Sequence, residues 1–345
     1  MNIDRKARIC FNIIVKYFIT ERMLMGKPNL SYKLKIQSFT VISNIIRYAF
    51  LVSFSFILLY PFLYIVVNSF KGISDFFDPT VEWMPKHLYF GNFSKTIKIL
   101  DFWRSTANTL IYEIAAALIQ FCSCAVAAYG LARFKFKGQR LLLGMMVLNI
   151  LVPSMMIITP SYVNFSHMDF LGIFGLLNRL TGIDLRPNLV NTVFAFYLPS
   201  VLGVGLKGGL FIYIFAQFFK GLPRELEEAA WIDGAGPWKT FLSIVVPSSG
   251  SASVTVLLFS IVWHWNDYYL AQMYLSEHPV LSVALNNTNI NSVINILGGS
   301  QTEGQLNAVP IILSGCLLFL LPLIVFYIVI QRKFMASIAT SGIVG

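Results

Sequence analysis

The chain is poor in charge. Of its 345 residues, only 12% are Asp, Glu, Lys or Arg, where a soluble domain carries about 25%. Hydrophobic residues make up 56% and the mean hydropathy is +0.69. There is too little polar surface here for a soluble protein, and 30 Phe, 15 Tyr and 6 Trp exclude a disordered one. The composition is that of an all-α polytopic membrane protein. Cysteine is scarce as well. Of Cys10, Cys122, Cys124 and Cys316, three fall in apolar runs, and Cys122 and Cys124 point in different directions on a helix. Neither a disulfide framework nor a metal site is expected. The histidines, His87, His167, His264 and His278, are scattered without ligand spacing. No G-x-x-x-x-G-K-[ST] loop is present: Gly26-Lys27-Pro28 lacks the glycine-rich turn before it and the hydroxyl after it. No Ser-His-Asp or paired-carboxylate arrangement is readable. The chain is expected to be no enzyme and to bind no cofactor. No internal repeat or low-complexity segment is evident.

The apolar residues fall in long runs. A helix needs about 20 of them to cross the hydrocarbon core. Charge-poor runs predict six spans: Tyr48–Phe70, Ala107–Ala132, Leu141–Ser166, Leu189–Phe219, Ser248–Leu275 and Val309–Ile330. The stretch Ile9–Ile19 is too short, carries Lys16, and is expected not to be a secretory signal. The net charge is +10. Placing the N-terminus inside puts 18 Lys and Arg on the cytoplasmic side against seven outside, so both termini are expected in the cytoplasm. Residues 1–47 read as a basic extension, either a mobile tail or an interfacial helix on anionic lipid. No basic run with interleaved aromatics suggests nucleic acid.

One predicted cytoplasmic segment, residues 221–247, has its own helical pattern. Pro223 suits a first helical position. Glu225, Glu227 and Glu228 follow it, where the helix dipole favours negative charge. Gly234 can stop that helix in the left-handed conformation, and Pro237 opens a second helix running towards Pro247. Leu226, Ala229, Ala230 and Asp233 share one face by spacing. Two such short helices are marginal alone, and pack either on another protein or on their own bundle.

The run Glu228-Ala229-Ala230, then Gly234, Ile244 and Val246-Pro247, resembles the EAA signature of ABC-importer permeases; Val246 stands where that pattern usually has Leu. The longer string from Leu226 to Ala235 is similar to the carbohydrate, maltose-type branch. Ala132 to Arg140, Trp265-Asn266-Asp267 and Gln331-Arg332-Lys333-Phe334 extend the resemblance over most of residues 48–345, which it marks as the transmembrane domain. The resemblance implies a coupling segment docking on cytoplasmic ATPase subunits through Glu228, Ala229, Ala230 and Gly234, with Ile244 and Pro247 anchoring it to the membrane. It implies ATP and Mg on that partner, a second homologous permease, an extracytoplasmic solute-binding protein meeting the long outer loops, surrounding membrane lipid, and a sugar, most often an oligosaccharide, as cargo. Another polar solute, or an autonomous secondary transporter, is the alternative; the latter leaves the EAA segment unexplained and calls for inverted repeats that are not seen.

Polar groups inside spans are costly and point to function. Glu113, Lys207, Asn266 and Asp267 are the candidates. Glu113 could instead sit at headgroup level, Lys207 could snorkel, and Asp267 could be a structural partner. Trp265, Asn266, Asp267 and Tyr268, with Trp263 and Tyr269, combine aromatic faces with hydrogen-bonding groups suited to a sugar, or else form an interfacial belt. The last outer loop is rich in Asn, from Asn286 to Asn295.

Overall fold

The computed structural model describes residues 30–169, 172–184 and 186–341, with side chains between 38 and 335. The expectations for Cys10, Ile9–Ile19 and the rest of residues 1–29 lie outside the described residues. Among these residues all regular secondary structure is helical, with no strand. Two units emerge from its internal packing, residues 1–64 and 65–345.

Helix α1, Leu30–Ser69, contains the first predicted span but starts well before Tyr48, inside the stretch read as an extension. It is 40 residues long, about 60 Å at 1.5 Å per residue, roughly twice the hydrocarbon thickness. Within the first unit its large apolar side chains stay exposed around the circumference, with Phe50 stacked on Phe54 at 6.0 Å.

The second unit is organised by α2, Phe102–Arg133. Its alanines favour helix and leave a shallow surface at Ala125 and Ala128. Phe211, Phe215 and Phe219 of the helix Gly208–Gly221 recur every fourth residue, share one face, and fill that surface. Small residues opposite large ones let two helices approach closely where no hydrophobic force draws them together in lipid. Phe241, Val245 and Val256 complete this core. At Thr109–Ile114 α2 widens into a π-helical turn.

Three of the predicted spans are broken rather than continuous. Leu141–Ser166 becomes α3, Gln139–Leu151, and α4, Ser154–Ser166, bent by 107°. Val152 precedes Pro153, whose ring disfavours helix there, and adopts extended backbone at ψ 119°. Ser248–Leu275 is interrupted likewise: α8, Pro237–Ser248, meets α9, Gly250–Trp265, at 82°, and the helix ends at Trp265. The run Leu189–Phe219 divides into α5, Phe194–Val201, and α6, Gly208–Gly221. Between them Gly203 and Lys207 take left-handed backbone, at φ 71° and 60°. Among the described residues, three helices are long and apolar enough to cross a membrane, or up to five if each bent pair is one span. The sixth predicted span lies inside α10, Gln301–Ser341.

The residues after α1 are fastened by polar side chains. Buried Lys71 donates to the carbonyls of Val81 and Glu82, both at 2.7 Å. Asn92 donates to Ser69 and Lys71 at 3.0 and 2.8 Å, and Thr96 to Ile311 of α10 at 3.1 Å.

Candidate functional site

The segment read from sequence as two short helices forms them. Helix α7 runs Glu225–Ile232, so Pro223 stands just ahead of it instead of at its first position. Glu225, Glu227 and Glu228 occupy its first turn, against the positive end of the dipole. At its end the N–H of Gly234 bonds Trp231 at 3.0 Å and that of Ala235 bonds Ala230 at 2.9 Å, the paired closure of a Schellman motif. Gly234 holds φ 80° with open space where a β-carbon would go. Glycine is therefore required there by backbone conformation and not by crowding. Pro237 is the first residue of α8, which widens at Phe241–Val245 before Pro247.

The spacing argument placed Leu226, Ala229, Ala230 and Asp233 on one face; the structure divides them. Ala230 is buried, whereas Leu226, Ala229 and Asp233 are exposed, as is Glu228. The reason is Glu227, three residues before Ala230 and on its side of the helix. It turns into the bundle to meet Arg133 at the end of α2, Nε to Oε1 at 2.7 Å, with both side chains 5% exposed. The outward side carries Leu226, Trp231, Ile232, Trp238 and Leu242, all exposed. Ile244 is half-buried and Pro247 exposed. The Arg133–Glu227 pairing was not legible in sequence. Arg133 stood out only as part of the Ala132–Arg140 resemblance, and Glu227 as one of three first-turn acids.

A second feature is a cavity of about 100 Å³, room for several waters. Glu113, Asn149, Ser161, Lys207, His264 and Tyr274 supply its polar lining. Glu113 is carried on the widened turn of α2, is buried, and has no hydrogen-bond partner for either carboxylate oxygen. Asn149 spends its carbonyl oxygen on the N–H of Gly209 at 2.9 Å. His264 pairs Nδ1 with the Ser260 carbonyl at 2.9 Å, which places the proton on Nδ1 because a carbonyl only accepts. Lys207 sits at the left-handed residue before α6, its Nζ 5.9 Å from the ring centre of Trp263.

None of Trp263, Trp265, Asn266, Asp267, Tyr268 and Tyr269 lines this cavity; the cluster read in the fifth span disperses. Trp265 is buried, donates Nε1–H to Phe319 of α10 at 3.2 Å and packs on its ring. Asn266 bonds the Val262 carbonyl at 2.7 Å and closes α9. Asp267 is buried and accepts the N–H of Leu270 at 3.3 Å, leaving its second oxygen without a partner. Tyr268 lies edge-on to Tyr269, ring centres 5.2 Å apart.

Long apolar helices, with two pairs sharply bent, around a partly open cavity of mixed polar and apolar lining define a polytopic membrane component. Irregular backbone at this depth is tolerated where protein or a water-filled cavity satisfies it. Residues 124–339, more than half of the chain, match the family described as binding-protein-dependent transport system inner membrane component. The chain belongs to that family: it is a multi-pass permease of the cytoplasmic membrane in a binding-protein-dependent ABC importer. It is 27% identical to the diacetylchitobiose uptake system permease protein NgcG of Streptomyces coelicolor, over 85% of this chain and 87% of that one. It is also 27% identical to the trehalose transport system permease protein SugB of Mycobacterium tuberculosis, over 83% and 93%. Its fold is shared with a bacterial ABC transporter involved in the import of the acidic polysaccharide alginate, at a TM-score of 0.62 and 20% identity, covering 90% of this chain and all of that chain.

Proposed function

We propose that this permease carries oligosaccharides or related sugars inward, driven by ATPase subunits docked on residues 221–247. The observation that carries the docking half is the exposed apolar side of α7 and α8. Ile232 is 87% exposed and Trp238 64%, on helices otherwise closed by a Schellman turn and a buried ion pair. Apolar side chains held this rigidly in water suit a groove on a partner. Glu228, Ala229 and Gly234 form the contact and its hinge, Ala230 backs it from within, and Ile244 and Pro247 lead it into the membrane. Hydrolysis of ATP, with its Mg, belongs to the docked subunits. The closing of two ATPases moves their docked helices, and the permease follows because its inward and outward states bind those partners differently.

The sugar half is supported by the relatives, named for uptake of diacetylchitobiose and trehalose, and by the chemistry of the cavity. Its carboxylate, amide, hydroxyl and ammonium groups can meet sugar hydroxyls, and Tyr274 offers a ring face. Lys207 and Glu113 line the path; Trp265, Asn266, Asp267 and Tyr268 hold the bundle that shapes it. On this reading the chain crosses six times, the bent pairs and the α5–α6 pair each counted once, and the Lys and Arg excess puts both termini in the cytoplasm and residues 71–104 outside, where the solute-binding protein arrives. Residues 48–345 form the transporter domain and residues 1–47 its basic extension. A second homologous permease completes the pathway.

The test is co-expression of the tagged chain with candidate ATPase subunits, followed by uptake of labelled trehalose and diacetylchitobiose into vesicles. Stoichiometric ATPase and ATP-dependent sugar uptake are expected. Uptake without ATP and without a recovered ATPase would overturn the docking, and ATP-dependent uptake confined to non-sugar solutes would overturn the cargo.

A further inference from the structure

The docking surface and the cavity lie on different elements, so a force applied to one has to reach the other. We propose that the buried Arg133–Glu227 pair is the joint that passes movement of the coupling segment to α2, making both positioning residues for the transport cycle. The inference rests on the docking reading above, and concerns residues that face away from the docked partner.

Arg133 holds the segment at two points. Its Nε meets Glu227 in the first turn of α7, and its NH2 group donates to the Leu222 carbonyl at 2.8 Å, just past the end of α6. One guanidinium thus spans the link between α6 and α7, using the forked donors that lysine lacks. Tyr129, one turn earlier on α2, is tilted against Phe241 of α8 at 5.0 Å. Both coupling helices are therefore gripped by the same end of α2.

The other half of α2 reaches the cavity. Gln120 donates to the Leu206 carbonyl at 2.8 Å, beside the left-handed Lys207, and Glu113 on the widened turn lines the cavity itself. A helix transmits displacement as a stiff element, and packed side chains, ion pairs and rigid helices such as those from α7 to Lys207 are the elements through which coupling is carried. An ion pair suits such a joint better than an apolar contact. Apolar side chains can slide past one another at little cost, whereas separating two buried charges leaves each uncompensated, which keeps α7 in register with α2.

The test uses the assembled complex with its ATPase subunits, in a cysteine-free background, with nitroxide labels at Ser243→Cys on α8 and Val163→Cys on α4, both exposed. Pulsed electron resonance reads the label separation without nucleotide and after trapping with Mg-ATP and vanadate, so no transported solute is needed. The unmodified pair is expected to give a nucleotide-dependent shift. Glu227→Gln, which keeps the shape and removes the charge, should retain stoichiometric ATPase and lose at least half of the shift. The swap Arg133→Glu with Glu227→Arg should recover part of it. A full shift in both Glu227→Gln and Arg133→Met overturns the joint. Loss of the ATPase from Glu227→Gln also overturns it, by making the pair part of the docking surface. Failure of the docking reading is seen separately, as absence of ATPase from the complex with the pair intact.

Discussion

The carbonyl oxygen of Gly203 stands where a β-carbon on Gly208 would have to go. These two glycines close the turn between α5 and α6, and their contact is backbone on backbone, with no flexible side chain to give way. Gly208→Ala should therefore force the turn open and displace Lys207, at about 1–3 kcal/mol typical of overpacking. Gly130→Ala, on α2 with nothing within 4 Å of the new methyl, should be neutral or slightly stabilising. Thermal unfolding of the two purified variants separates these outcomes; equal midpoints would mean that the turn has slack the structure does not show.

Gly234 is strained for any residue with a side chain, since its φ is 80°. Gly234→Ala should cost about 1–2 kcal/mol and reduce ATP-coupled uptake, while Gly234→Pro should abolish it, because the ring cannot adopt that φ and the bond to Trp231 is lost. Glu228→Lys should abolish uptake by reversing charge on the exposed face. All three should still reach the membrane, as an immunoblot of the membrane fraction would report. Normal uptake by Gly234→Pro or Glu228→Lys would remove the segment from the coupling role.

Glu113 has two buried carboxylate oxygens without partners, in a cavity shared with Lys207 and His264. If it accepts hydroxyl hydrogens from the passing solute, Glu113→Gln should raise the KM for uptake several-fold with the amount of assembled complex unchanged, since the amide keeps the size but only one acceptor oxygen. An unaltered KM with a lower complex yield would assign Glu113 to the bundle alone.

Asp184 lies outside the predicted spans and takes two hydrogen bonds from the Arg186 side chain at 2.8 Å. These bonds to its charged form lower its pKa to about 2. A folded-state pKa below the unfolded value means that the pair's contribution is complete above the ordinary carboxylate range and is lost as pH falls through about 2. Infrared or NMR titration of labelled Asp184 should accordingly show no protonation between about pH 4 and pH 8, and Arg186→Met should move the midpoint up towards the ordinary value near 3.8. The pair is exposed, so little change in overall stability should accompany the shift.

Much of the site could be read before any fold was known. Gly234 ends a helix and Pro237 begins one for reasons confined to their own backbones, and those assignments needed no neighbours. The aromatic cluster after Trp263 was different. Its composition suits a sugar and suits packing equally well, and only the position of Phe319 on α10 shows that Trp265 spends its indole N–H inside the bundle. Glu113 could be flagged by its charge in an apolar run, but its lack of a partner is a property of its surroundings.

By itself, the sequence determined the membrane class, the helical content and the position of the two-helix segment. These follow from composition, apolar run length and single-residue backbone preferences, which are local. Tertiary structure alone decided which alanine of the 229–230 pair turns inward, and that Arg133 meets Glu227 while Lys207 joins Glu113 around one cavity. Each of those depends on groups far apart in the chain competing for the same buried space, and no local pattern records which partner wins.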